Sequence, residues 1–377
     1  MLAKHRIVLD DAHQMSEIAD QSIDLVVTSP PYPMVEMWDA AFGAADPTIA
    51  DALNASDEER AFELMHVYLD GVWQEVRRVL KPGGIACINI GDATRSGNGG
   101  FRVFPNHART IMTCLRLGLS LLPTIIWRKT TNAPTKFMGS GMLPPGAYVT
   151  LEHEYILILR KGGKRAFTEA REKQNRRASA YFWEERNLWF SDVWFDLRGT
   201  PQVLSNSGPR ERSAAFPLEL AYRLINMFSV RGDTVLDPFL GTGTTLLAAM
   251  CSGRHCIGYE IDPAFQPIIL KAVGTVPDLC AEIVGRRLAG HLEFVRQRSQ
   301  AKNDFKHINR HYGVPVMTGQ EEDLVLEGVR EVRYLTNQDF NTLTAPWPHG
   351  PASSPDVLQA GTPAGACPPK TRQLRLF

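Results

Sequence analysis

The sequence predicts an α/β protein built on a mostly parallel, doubly wound sheet, and three observations carry that prediction. Strand and helix signals alternate over two long stretches, the pattern that parallel strands with crossover helices require. A buried strand, Ile23–Thr28 (IDLVVT), ends at two consecutive prolines. A second strand, Thr234–Asp237, runs into a Gly-rich turn and then into a helix. At 377 residues the chain holds one large domain or two modest ones.

Taken in order, the opening MLAKHRIVLDDAH reads as a strand at Ile7–Leu9 followed by acidic turn residues, not as a basic-then-apolar leader. Glu59–Leu80 carries apolar residues at helical spacing (Phe62, Met65, Val72, Val76, Val79) and stops at Lys81-Pro82-Gly83-Gly84. Ile85–Ile90 is the next strand, Val103–Leu117 a helix and Ser120–Trp127 a strand. Tyr155–Leu159 (YILIL) closes this half. Residues 160–213 break the rhythm: basic first, then aromatic (Tyr181, Phe182, Trp183, Trp189, Phe190, Trp194, Phe195), then turn-rich. The aromatic cluster reads as a small local core. The second stretch has a helix at Pro217–Phe228, the strand Thr234–Asp237, a helix from about Thr244 and a strand at His255–Glu260. A further helix over roughly 276–300 carries Arg286, Arg287, Arg296 and Arg298.

Residues 303–341 read as a small appended segment of mixed helix and strand. Residues 342–372 hold seven prolines and no apolar periodicity, the composition of a disordered linker. The expected parts are therefore 1–159, 160–213, 214–300, 301–341 and 342–377. No stretch approaches the roughly 18 uninterrupted apolar residues of a membrane helix, so a soluble intracellular protein without a membrane partner is expected. The six cysteines are scattered, with no zinc spacing, and neither disulfide nor metal is expected. His307 and His311 stand one helical turn apart with no third ligand nearby, which reads as a wet helix surface.

Lys+Arg and Asp+Glu both number 41, so net charge does not decide for or against nucleic acid. Distribution says more. Residues 160–177 carry eight Lys/Arg against two Glu, and residues 36–63 eight acids against one Arg. Separated patches allow one basic face toward DNA, although either run alone can be a solvated surface.

Two motifs carry chemistry. Asp237-Pro238-Phe239-Leu240-Gly241-Thr242-Gly243-Thr244-Thr245 is a turn where a ligand can approach the backbone at a helix N-terminus. It is no P-loop, lacking Gly-Lys-Ser/Thr, and position 246 is Leu where a dinucleotide fingerprint has its third Gly. Glu260, at the end of the next strand, suits a ribose diol. A nucleoside without pyrophosphate fits, and S-adenosylmethionine is such a ligand. The second motif is Thr28-Ser29-Pro30-Pro31-Tyr32, after the buried strand. Its prolines give a stiff loop with carbonyl acceptors and no N–H donors, and an aromatic ring follows. That suits a flipped base, although a proline-ended strand with a core tyrosine has the same residues.

Together the motifs resemble the DNA amino-methyltransferases, whose members carry an S/D/N-P-P-Y/F motif and a DPFxGxGTT-type cofactor motif. Here they read SPPY and DPFLGTGTT, in that order and about 210 residues apart. The order is similar to the permuted beta arrangement, in which target recognition lies between the catalytic and cofactor halves. Asp11-Ala12, Leu80-Lys81-Pro82-Gly83-Gly84, Ile126-Trp127-Arg128-Lys129 and Ala215-Phe216-Pro217 fit it as well, so that the resemblance spans roughly residues 5–275.

The resemblance implies a Rossmann-like S-adenosylmethionine-dependent methyltransferase fold with an inserted target-recognition region at 160–213. It implies direct transfer, with Ser29 and the Pro30 carbonyl accepting from the target amino group, Pro31 stiffening the loop and Tyr32 stacking on the extruded base. The cofactor would lie among Asp11, Phe216, Asp237, Pro238, Phe239, Gly241, Thr242, Gly243, Thr244 and Glu260. A leading Ser implies cytosine N4, with adenine N6 open as the alternative; an RNA methyltransferase or an inactive DNA-binding module stand further off. Attack on carbon 5 would need a Pro-Cys nucleophile, and Cys367-Pro368 has the reverse order.

Double-stranded DNA is the implied partner. Arg160, Lys161, Lys164, Arg165, Arg171, Lys173, Arg176 and Arg177 would reach phosphates, with Arg198 and Arg210 nearer the base edges. The loop Asp92–Phe101 would move over the DNA. A nucleoid-associated cytoplasmic enzyme is expected, serving restriction-modification beside a separate cognate endonuclease or acting as an orphan. The last residues, Gln373, Leu374, Arg375, Leu376 and Phe377, resemble the QLxLF peptides that dock bacterial proteins on the DNA sliding clamp. The linker 342–372 spans on the order of 30 Å as a random coil, enough to reach such a partner. A tail packed on its own domain, or one without a role, is the alternative.

Overall fold

The computed structural model describes residues 1–97, 100–129, 138–198, 216–301 and 305–347. Arg210, Cys367 and the terminal peptide lie outside them, as does the linker from residue 348 on. The chain opens with β1 (Leu2–Val8) and β2 (Ile23–Thr28). Two short helices, α1 (Asp39–Ala45) and α2 (Pro47–Asn54), precede the long α3 (Glu58–Val79). Asp57 caps α3 by accepting from Arg60 N, and acids at its start with arginines at its end match the helix dipole.

Next come β3 (Leu80–Ile90), the hairpin β4 (Ala93–Gly97) and β5 (Gly100–Phe104), and α4 (Asn106–Arg116). Then β6 (Leu119–Leu121), β7 (Ile125–Arg128), the small hairpin β8 (Met138–Gly139) with β9 (Ala147–Tyr148), and β10 (His153–Lys161) follow. α5 (Ala170–Ala178), α6 (Trp183–Trp189) and β11 (Val193–Trp194) occupy the middle. The second half runs α7 (Leu218–Phe228), β12 (Thr234–Asp237), α8 (Thr244–Cys251), β13 (His255–Tyr259), α9 (Gln266–Val273) and α10 (Val276–Gln300). It ends in β14 (His307–Ile308), β15 (Pro315–Val316), β16 (Glu327–Tyr334) and β17 (Asp339–Pro346).

One large sheet has the order β11-β7-β10-β3-β2-β12-β13-β1-β17-β16, with β6 beside β10. The central five strands, β3 to β1 in that order, pair parallel. Both flanks turn antiparallel, at β10 on β3 and at β17 on β1. The sheet is wound on both faces. Leu25 and Val27 point into a core with α7, α8 and α10, while Val26 points into the core with α3. The two halves of the chain meet where β2 pairs β12, Leu25 opposite Val235 and Val26 opposite Leu236. Thr28 Oγ1 seals that seam by donating to Asp237 Oδ1 at 2.6 Å.

Several expectations need correction. The expected helix Val103–Leu117 starts only at Asn106, because Gly100–Phe104 pairs back on β4; the loop at Asp92–Phe101 is thus mostly hairpin. Lys81-Pro82-Gly83-Gly84 ends a helix but also lies within a strand, whose pairing shifts register between Ile23 and Leu25 of β2. The described part of 160–213 is no separate insert. β11 extends the sheet beside β7, and Phe182, Trp189 and Trp194 are buried in the common body, Phe182 stacking on His291 at 3.9 Å. Nor is 301–341 merely appended, since β17 pairs β1 and continues to Pro346, past the expected linker boundary at 342. His307 stands on a strand and bonds Glu322, and His311 bonds the Trp347 carbonyl, so the two share no helix. Among the described residues no helix is long and apolar enough to cross a membrane.

Candidate active site at the carboxyl ends of the central strands

In a doubly wound sheet the loops after adjacent parallel strands converge at one edge. Here the loop after β2 supplies Ser29 and Pro31, and the turn after β12 supplies Pro238, Phe239 and Gly241. Glu260 comes from the end of β13, and Asp10, Asp11 and Ala12 from the end of β1. All of them line one pocket. Its far wall is aromatic and apolar: Trp38, Ala41 and Phe42 from the α1 region, Tyr68 of α3, and Phe265. Arg95 of β4 ties that wall down, donating to the Met34 carbonyl and pairing with Asp39.

The acids of the pocket are oriented. Glu260 accepts from Gly241 N at 2.8 Å and Asp262 N at 2.9 Å, which also pins the glycine turn to β13. Gly243 starts α8 with φ of 88°, a left-handed backbone that favours glycine. Asp11 accepts from His13 Nδ1 at 2.6 Å and from the Tyr68 hydroxyl at 3.2 Å. The His13 hydrogen bond lowers the Asp11 pKa and outweighs its partial burial. Burial lowers that of His13, but bonds to Asp11 and to the Tyr68 carbonyl leave it raised. Asp237 is fully buried beneath the loops, and burial pushes its pKa up to about 6.

Beside the pocket lies a polar network that fixes the direction of each hydrogen bond. Glu154 takes Lys129 Nζ on one oxygen at 2.8 Å, and Asn89 Nδ2 (2.7 Å) and the Tyr32 hydroxyl (3.0 Å) on the other. A carboxylate only accepts, so Tyr32 spends its single hydrogen on Glu154. The 2.9 Å contact between Ser29 Oγ and Tyr32 Oη therefore has Ser29 as donor. The Ser29 oxygen keeps its lone pairs as acceptors. Burial, then the Glu154 charge, raises the Tyr32 pKa well above the ordinary value, so the hydroxyl stays protonated. Gly91 permits the packing: a Cβ there would lie 3.1 Å from Tyr32 Cε2 and 3.3 Å from Glu154 Cγ.

The structure thus brings Ser29, Pro31, Asp11, Pro238, Phe239, Gly241 and Glu260 together around one pocket, with Tyr32 at its side. It keeps others out of the lining. Asp237 braces the turn from below through Phe239 N and Thr28, and Phe216 is buried in the core with α7. Pro30 is buried, and Thr242, Gly243 and Thr244 form the turn and first residue of α8 behind Gly241. Asn89 and Glu154 were missed by sequence reasoning, and Lys129 entered it only within Ile126-Trp127-Arg128-Lys129. A signal existed for Glu154, a charged residue one place before the apolar run YILIL.

The basic run lies away from the pocket. β10 is antiparallel to β3, so Arg160 and Lys161 emerge at the sheet edge opposite Ser29. Lys161 donates to the carbonyls of Arg77, Arg78 and Leu80, and Arg165 pairs with Asp233 at 2.6 Å and Asp24 at 3.5 Å. Lys164, Arg171, Lys173, Arg176 and Arg177 follow at that same far edge, where Asn175 of α5 bonds the Arg231 carbonyl. None of these eight reaches the pocket. Arg198 lies at the pocket edge, because β11 runs parallel to β7 and leads toward it.

A family profile described as DNA methylase, of the N6/N4 methyltransferases, matches residues 23–271. The type II methyltransferase M.MthZI of Methanothermobacter thermautotrophicus is 52% identical over 341 residues, covering 90% of this chain and 95% of its own. M.MjaI of Methanocaldococcus jannaschii is 52% identical over 281 residues, covering 72% and 91%. The structure of a DNA modification methylase, TTHA0409 from Thermus thermophilus, complexed with S-adenosyl-L-methionine, aligns with a TM-score of 0.54 at 36% identity, covering 70% of this chain and 91% of that one.

Proposed function

The chain belongs to the N6/N4 DNA methylase family, and from that premise we propose that it methylates N4 of cytosine in duplex DNA, on a base turned out of the helix. It is a site-specific DNA methyltransferase, and S-adenosyl-L-methionine is its methyl donor. The residues present suit that donor. Glu260, held from behind by two backbone N–H groups, offers its carboxylate to a ribose diol. Asp11 and the rings of Trp38, Tyr68 and Phe239 offer negative charge and π faces to a cation. When bound, the donor supplies an electrophilic methyl group on a sulfonium.

The observation that carries transfer to an exocyclic amino group is the fixed polarity of Ser29, and the choice of cytosine rests on the leading Ser of Ser29-Pro30-Pro31-Tyr32. The Ser29 hydrogen goes to Tyr32, so its oxygen accepts from the target amino group and turns that nitrogen's lone pair out of ring conjugation. Pro30 adds its carbonyl to the same task, and Pro31 holds the loop rigid. Tyr32, tethered at its hydroxyl, offers its ring to the extruded base. The nitrogen would take the methyl group as its bond to the sulfonium breaks and leaves a neutral thioether, and would give up one proton to water. Positioning and electrostatics do the work, with no covalent intermediate. Asp11, Pro238, Phe239, Gly241 and Glu260 hold the cofactor directly, and Phe216, Asp237, Thr242, Gly243 and Thr244 support them. DNA recognition is assigned to the pocket edge around Arg198. A separate restriction endonuclease and, through Gln373, Leu374, Leu376 and Phe377, the sliding clamp complete the proposed partners.

Nucleoside mass spectrometry of unmethylated DNA treated with protein and S-adenosylmethionine tests this, beside a Tyr32→Ala control. N4-methylcytosine from the wild type alone is the expected result. N6-methyladenine would overturn cytosine as the target, which rests on the leading Ser of the motif, while leaving the fold, the mechanism and the acceptor role of Ser29. No modified base on DNA of varied sequence would remove the DNA-amine reading altogether.

A further inference from the structure

Chemistry on a paired base requires its extrusion, and something must take its place in the stack. We propose that the β8–β9 hairpin is the element that does so, with Met142 and Leu143 as the apolar wedge entering the duplex. The proposal rests on the reading above, that the substrate is a flipped base in duplex DNA.

Met142 is 83% exposed and Leu143 71%, large apolar side chains held in water at the tip of the β8–β9 hairpin. In sequence the hairpin lies between Lys129, just after β7, and His153, the first residue of β10; Lys129 pairs with Glu154, and Glu154 accepts from the Tyr32 hydroxyl. The hairpin therefore rises from the same strand edge as Ser29. The tip is braced. Ser140 Oγ donates to the Leu143 carbonyl, and Phe101 of the neighbouring hairpin stacks on Tyr148 at 4.5 Å and 15°. Gly139 comes so close to the Gly146 carbonyl that a Cβ would lie 2.1 Å from it.

The same edge of the sheet carries cations: Arg128 at the end of β7, half exposed beside Glu152, and Arg198 beyond β11. Exposed Phe195 lies between β11 and Arg198. Apolar side chains on an edge that also carries arginines suit an element that parts base steps while phosphates are held. Neither core cluster includes Met142 or Leu143, so their replacement leaves the packing of the sheet untouched.

The test pairs Met142→Ser with Leu143→Ser in the full chain. Substrates are a duplex whose methylated site has been mapped with the wild type and the same duplex with an abasic position opposite the target base. On the matched duplex kcat/KM is expected to fall on the order of tenfold to a hundredfold. On the abasic duplex, where extrusion is already easy, it should return to within about threefold of wild type. Calorimetric binding of S-adenosylmethionine should not change. An equal loss on both duplexes would make the tip an ordinary docking surface and overturn the wedge, and so would no loss on either. A wild type inactive on every duplex would instead overturn the underlying reading, and the wedge with it.

Discussion

The two ends of the central strands β2 and β12 both carry buried carboxylates, and the molecule treats them in opposite ways. At the amino ends, Asp24 and Asp233 meet cations: Lys81 Nζ at 2.8 Å from both Asp24 oxygens, and Arg165 across the two acids. At the carboxyl ends, Asp237 is held among the described residues by neutral groups: the Thr28 hydroxyl, the Thr245 hydroxyl and Phe239 N. The first end is neutralised and closed; the second stores unneutralised negative charge under an open pocket. A site for a cationic ligand needs the second arrangement, because a resident Lys or Arg would compete with the ligand. The basic run 160–177 lies at the first of these ends. Arg165 answers Asp233 and Asp24, Arg177 answers Asp323, and Lys161 answers backbone carbonyls, all away from the pocket.

The largest effect that sharpens this contrast concerns Asp237. Its folded pKa of about 6 lies above the ordinary aspartate value of 3.8, so the folded state binds the proton more tightly than the unfolded chain. The group's favourable contribution is therefore complete below about pH 4 and is lost as pH rises through 6. The shift corresponds to about 3 kcal/mol of burial cost at neutral pH. Asp237→Asn removes that cost and keeps an oxygen for Thr28 and Phe239 N. Denaturant unfolding should show the variant more stable than wild type at pH 7, by up to about 3 kcal/mol, and equal to it near pH 4. A variant less stable at pH 7 would mean that the carboxylate charge is compensated after all.

Next in size is the polarity of the network around Tyr32. Glu154→Gln gives the acceptor a donor group of its own, and Tyr32 can then turn its hydrogen toward Ser29. Ser29 would lose its fixed acceptor role. We expect kcat to fall on the order of a hundredfold, the usual scale for one misdirected hydrogen bond at a reacting centre. The S-adenosylmethionine Kd should stay put, since Glu154 is not among the pocket's lining residues. Weaker cofactor binding with unchanged kcat would show that the network serves the pocket and not the base.

How much of this was legible in the sequence follows from range. Ile23–Thr28 and Thr234–Asp237 could be read to the residue, because a short apolar run bounded by prolines or glycines has few other solutions. The two motif loops were legible for the same local reason. Glu154 and Asn89 were not, because they lie 122 and 57 residues from Tyr32 and meet it only through β10 and β3. The direction of a strand was also invisible. Knowing that β10 runs antiparallel to β3 would have placed Arg160 and Lys161 at the wrong edge for the site, and nothing in YILILRK states it. The same blindness hid β17, whose Asn341-Thr342-Leu343 looks like the start of a linker until β1 is there to pair with it.

The smallest effect falls on the closed end. Arg165→Ala leaves Asp233 with the Val230 N–H and Asp24 with Lys81, both acids nearly buried. Because the Arg165 side chain is itself 36% exposed, solvent screens the pair, and a loss of about 1 kcal/mol is expected. That loss should shrink as salt is raised, and it should appear in unfolding, not in catalysis: KM for DNA should match wild type. Gly83 indicates how tightly this segment is docked, since a Cβ there would lie 2.8 Å from Arg165 N. A raised KM for DNA with stability intact would return residues 160–177 to the DNA surface and dissolve the contrast between the two ends.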